Sequence, residues 1–185
     1  GQAELDFLRN GFSEIVIGSN AGQHAVVVGN PAVPGTVTFT DPLSILSPAG
    51  GTIDLYGTIT GSDDASLSIL GAQNATTLHG VTITQPRSVV IQDVVVLVGN
   101  NSISAGTSGT GDITFGYAVN GDGVDGDDTL TLDAAGNITF AGAVGTGAPL
   151  AALTIDGGED VTFQGAVDVD GDVVIRADGT VTFDG

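Results

Sequence analysis

Short runs of alternating apolar and polar residues, each closed by Gly, Asp or Asn, recur along almost the whole chain. The clearest are Ile113-Thr-Phe115, Ile138-Thr-Phe140, Val161-Thr-Phe163 and Val181-Thr-Phe183, whose phenylalanines stand 25, 23 and 20 residues apart. A second series precedes the last three: Leu130-Thr-Leu132, Leu153-Thr-Ile155 and Val173-Val-Ile175, with third positions spaced by 23 and then 20. The two series keep step. Period-two alternation predicts strands that place Ile138 and Phe140 on one face and Thr139 on the other. A unit of short strands and Gly/Asp corners repeating every 20–25 residues or so has the length of one coil of a parallel β-helix. The pattern therefore predicts an all-β fold, a right-handed parallel β-helix (β-solenoid), in which like residues stack coil upon coil. Corners of variable length absorb the drift in spacing.

Earlier in the chain the pattern continues less cleanly. Glu14-Ile-Val-Ile-Gly18, Ala25-Val-Val-Val-Gly29, Gly35-Thr-Val-Thr-Phe39, Gly51-Thr-Ile-Asp-Leu55 and Ser66-Leu-Ser-Ile-Leu70 read as strands ended by turn residues. Val81-Thr-Ile83, Val89-Val-Ile91 and the apolar run from Val94 to Val98 follow. The expectation is one solenoid segment over residues 1–185, less regular over 1–110 and clearer over 111–185. At about 4.8 Å per coil this makes about eight coils and a rod about 40 Å long. A β-sandwich is the rival. It needs hairpin turns between neighbouring strands and gives no reason for two series to keep step.

Composition supports strands and tight turns. The 185 residues include 30 Gly, 7 Phe and 2 Tyr, with no Trp, Met, Cys or Lys, so an aliphatic core must do most of the packing. Three Arg against 22 Asp and Glu give a net charge of −19. Phosphate recognition draws on clustered Lys and Arg, so nucleic acid is excluded as a partner. No apolar run reaches the length of a membrane-spanning helix, and no membrane insertion is expected. Without cysteine there is no disulfide and no thiol chemistry. Gly1 opens on nothing like a signal peptide and the chain stops just after a strand-like run, so both ends read as cut from something longer.

Asp6-Phe-Leu-Arg-Asn-Gly-Phe-Ser-Glu-Ile-Val-Ile-Gly18, with Asp41-Pro-Leu43, Gly51 to Thr60 and the similar units Ile138 to Val144 and Val161 to Val167, resembles large bacterial surface repeat proteins. These are adhesin-like, filamentous-haemagglutinin-like solenoids. The resemblance covers most of the chain through degenerate, Gly-rich motifs. It implies a secreted or cell-surface scaffold with structural or adhesive duties and no active site. It also implies partners that are neighbouring repeats of the same protein or other copies joined end to end, with cell-surface glycans as the alternative.

Candidate chemistry is sparse. Asn120-Gly-Asp-Gly-Val-Asp-Gly-Asp-Asp128 alternates Asp with Gly, which lets a short loop curl several carboxylates onto one Ca²⁺; Asp122, Asp125, Asp127 and Asp128 are the candidate ligands. The run is similar to thrombospondin type 3 calcium loops but has Ala118 at an early ligand position and no closing Glu. Carbohydrate-cleaving β-helices need separated carboxyl roles, often with Arg or Lys. Here Asp63-Asp64 reads as a solvated turn, and His24 and His79 stand alone, so no catalytic residue is assigned. Thr-x-Thr pairs at 36/38, 58/60, 82/84 and 129/131 suggest an ice-binding face, but their unequal spacing argues for ordinary outward threonines. Glycosylation sequons occur at Asn74, Asn100 and Asn137, the last a plausible corner residue.

Overall fold

The computed structural model describes residues 2–21, 24–47, 50–71, 74–124 and 126–185, with the backbone alone at 3 and 4. Its strands fall into successive coils. The first holds β1 (Ile15–Gly18), β2 (Ala25–Val28) and β3 (Thr36–Phe39); the second holds β4 (Leu43–Ser47) and the long β5 (Thr52–Gly61). The third holds β6 (Leu67–Gly71) and the long β7 (Ala75–Gln85), and the fourth β8 (Val89–Ile91), β9 (Val94–Val98) and β10 (Asn100–Ala105). The fifth holds β11 (Ile113–Phe115), β12 (Val119–Gly121) and β13 (Thr129–Ala134). The sixth holds β14 (Ile138–Phe140) and β15 (Ala152–Ile155), the seventh β16 (Val161–Phe163) and β17 (Val173–Ile175), and β18 (Val181–Phe183) begins an eighth. Every pairing among them is parallel, so the fold is a β-solenoid of seven complete coils, close to the eight expected.

Three faces result. The first is the ladder β1-β4-β6-β8-β11-β14-β16-β18. β5 and β7 each run through two further faces, which β2, β9 and β12 continue on one side and β3, β10, β13, β15 and β17 on the other. Beyond β12 the second face thins to single bridges linking Val119, Val144 and Val167. Equivalent residues on the first face are Ile15, Leu43, Leu67, Val89, Ile113, Ile138, Val161 and Val181, so coil lengths run 28, 24, 22, 24, 25, 23 and 20. The length varies while the ladder stays in register, because the extra residues leave at corners.

The corner between the second and third faces shows how sequence makes the bend. Coils two to four turn there on Gly57, Gly80 and Gly99, all at positive φ. At Gly57 a Cβ would stand 2.3 Å from the Gly35 carbonyl oxygen, so no larger residue fits without moving backbone. The strand register shifts between Tyr56 and Thr58 and then resumes.

Inward residues form columns. Ile45, Ile69, Ile91, Phe115, Phe140 and Phe163 are fully buried one above another, and Phe115, Phe140, Phe163 and Phe183 stack with ring centroids 4.8–5.0 Å apart. Each buried side chain of this size contributes about 1.5–3 kcal/mol through removal from water. Ser88, Asp112, Asn137 and Asp160 line one corner, and each side-chain oxygen accepts the N–H of the next coil's equivalent residue, ending on Thr180. Asn137 is thus a corner residue, and this polar column matches the apolar one rung for rung.

One helical turn, α1 (Gln2–Leu5), lies at the N-terminal end. The Gln2 side chain accepts the Thr38 N–H at 2.6 Å and donates to the Thr38 carbonyl at 3.1 Å, imitating a neighbouring strand along β3.

Candidate functional site

The acidic loop occupies residues 122–128, between β12 and β13. That is the corner which coils two to four make with one glycine, so the loop is an insertion into a tight bend. Asp128 holds its base. One carboxylate oxygen accepts the Gly99 N–H at 2.8 Å and the other the Asp122 N–H at 2.7 Å, and the residue is only 2 % exposed. It therefore ties the loop to the glycine corner of the coil below. Burial pushes the Asp128 carboxyl above the ordinary aspartate value, a shift opposed by its two backbone N–H partners and reinforced by the nearby Asp122. The Asp122 carboxylate in turn accepts the Val124 N–H at 2.7 Å, which closes a local turn. Asp127 is exposed, and Asp125 lies outside the described residues. Among the described residues no three His, Cys, Asp or Glu side chains come together in a metal-sized group.

The other acidic pair, Asp63-Asp64, forms an exposed turn between β5 and β6, and the Asp63 carboxylate accepts a hydrogen bond from the Asn10 amide. Its partner is therefore the N-terminal segment.

Two features arise only from coil-to-coil register. β5 and β7 pair Tyr56 with His79 and Asp54 with Thr77, which brings Asp54, Tyr56 and His79 together on the second face. The Tyr56 and His79 rings stack at 4.2 Å with planes 4° apart, and His79 Nε2 lies 3.1 Å from Asp54 Oδ1. His79, which reads as isolated in sequence, has two partners. Nothing local could have linked residues 25 apart; the signal would have been the register itself.

The second feature is a buried carboxyl. Asp93 is fully buried at the corner after β8, where it sits directly over Gly71 of the preceding coil. A Cβ at Gly71 would lie 2.1 Å from Asp93 Oδ2, so the glycine makes room for the carboxyl. Thr76 Oγ1 donates to Oδ2 at 3.0 Å, while Oδ1 has no hydrogen-bond partner among the described residues. Burial dominates and pushes the Asp93 carboxyl upward, against the lowering effect of Thr76 and of nearby backbone N–H groups. In the same interior the Gln85 amide and the Ser47 hydroxyl are also buried without a partner among the described residues.

No family model, no curated protein and no solved structure matches the chain. The solenoid and its coil register stand on this structure alone.

Proposed function

We propose that the chain is a structural rod module of a secreted or cell-surface protein, whose ends associate with further coils of the same kind. Stacking of like residues in register from coil to coil carries this reading, and the C-terminal coil shows the same surface uncovered. β18 repeats the Val-Thr-Phe pattern of β16 in register, yet Phe183 is 59 % exposed whereas Phe163 beneath it is fully buried. Val173 and Val181 are uncovered beside it, and the free edges of β17 and β18 present unpaired backbone groups. β18 stands one rung above the other two faces, so the end is a step, and an incoming coil must first fill those faces. At the opposite end Ile17, Val26, Val28 and Val37 open into a cavity of about 430 Å³, while Gln2 shields the edge of β3.

Such an end favours addition of another coil through backbone ladders and apolar stacking. The net charge of −19 opposes contact between rods, so association strengthens with salt. Light scattering against concentration tests this. Wild type is expected to grow into elongated species at high protein and salt, and Phe183→Asp to stay monomeric. A wild type that remains monomeric at every concentration and salt level overturns the proposal.

A further inference from the structure

The third face carries an array of hydroxyls that unequal loop lengths conceal in the sequence. Thr36, Thr58, Thr82, Ser102, Thr131 and Thr154 form one outward row in continuous register. Thr38, Thr60, Thr84 and Ser104 form a second row two residues along the same strands. Three of the four Thr-x-Thr pairs, at 36/38, 58/60 and 82/84, thus stack on successive coils, and Ser102/Ser104 continues them. The repeat is about 4.8 Å along the rod and about 6.6 Å along each strand.

Three properties set this face apart. Among the described residues the hydroxyls of Thr58, Thr60, Thr82, Thr84 and Ser102 bond to no protein group, whereas Thr38 is held by Gln2 and Ser104 by Asp133. No outward residue of β3, the second halves of β5 and β7, or β10 is charged, in a chain of net charge −19. None is aromatic either; Tyr56 and His79 lie on the adjoining face. β-Branched threonine has few χ1 choices, so the backbone ladder fixes where each hydroxyl and methyl stands.

We propose that this face binds ice. A regular grid of hydroxyls and methyls anchors first-layer water in a repeating pattern close to that of an ice surface. Immobilising such water costs entropy, and ordering it in advance spares that cost when ice is met. Charged groups would impose hydration shells out of step with the lattice; the outward residues of the first four coils of this face carry none, and charge enters the second row at Asp133, beside Ser104. A crystalline polysaccharide, the other repetitive hydroxylated solid, would favour exposed rings for stacking, which this face lacks.

The test uses freezing-point measurement and ice-crystal shape in the whole chain. Wild type is expected to facet growing ice and to open a gap between melting and freezing. Thr82→Tyr, in the middle of the grid, is expected to reduce that gap several-fold, as is Thr60→Lys. Thr139→Tyr, on the single threonine row of the first face, is expected to leave it unchanged, with circular dichroism confirming that all variants fold. Unshaped ice with wild type overturns the proposal. Equal loss in Thr139→Tyr does so as well, and so does retention on microcrystalline cellulose without any effect on ice.

Discussion

Coils two to four and coils five to seven solve the same architectural problem with different sequences. The later coils spell the repeat openly: each first-face strand is three residues long and ends in Phe, and the rings stack at 4.8–5.0 Å. The earlier coils hide the repeat yet build the more continuous sheets, with strands of 10 and 11 residues bending through two faces. Charge divides in the same way. Of the 22 acidic residues, 14 fall in residues 111–185 and 8 in residues 1–110. Regular sequence and regular structure are therefore not the same property. A corner built on one glycine passes the chain directly from strand to strand, whereas an acidic loop at that corner interrupts the sheet and leaves the repeat to short, strongly marked strands.

The comparison breaks first at the phenylalanine column. Phe140→Ala empties the middle of a stack with buried rings on both sides, and chemical denaturation should register a loss of about 3–5 kcal/mol. Ile69→Val, at the equivalent place in the aliphatic coils, should cost only about 0.5–1.5 kcal/mol. A loss for Phe140→Ala as small as that for Ile69→Val would mean that the ring column contributes little to stability.

Next in size is the loop clamp. Asp128→Ala leaves the Gly99 and Asp122 N–H groups without their acceptor and should cost about 1–3 kcal/mol. The neighbouring exposed Asp127→Ala should stay within about 0.5 kcal/mol. Comparable midpoint shifts in thermal melts of the two variants would remove Asp128 from its role.

A smaller effect concerns pH. Asp93 and Asp128 both have folded-state values raised above the ordinary 3.8, so the folded chain holds more protons than the unfolded one above that value. Their favourable contribution is full below the ordinary value and is lost as pH rises through the raised ones. Stability should therefore increase from neutral to mildly acidic pH, helped by reduced self-repulsion, and Asp93→Asn should flatten the profile. A wild type that weakens steadily over this range would contradict the assignment. The smallest change is expected at the open end, where Phe183→Ala should alter monomer stability by less than about 1 kcal/mol, since its ring is mostly in water.

Much of the fold was legible in advance because a solenoid is a local code repeated. Period-two alternation places Ile138 and Phe140 inside and Thr139 outside, and in-step spacing specifies stacking before any contact is seen. The candidate site was less legible. Asp128 reads as one acid among several, and only its position against Gly99, 29 residues earlier, makes it a buried clamp. His79 gains Tyr56 and Asp54 in the same way.

What the amino-acid order determined by itself was therefore the class of fold: strands, corners and an aliphatic and phenylalanine core, through backbone sterics and side-chain alternation within a few residues. The tertiary structure decided which distant residues share a rung. Corner insertions of different lengths erase constant spacing from the sequence, while backbone hydrogen bonds between coils restore it in space. That restoration turned scattered Thr-x-Thr pairs into one array and placed Asp93 over Gly71, because the ladder admits only registers that keep every inward column buried.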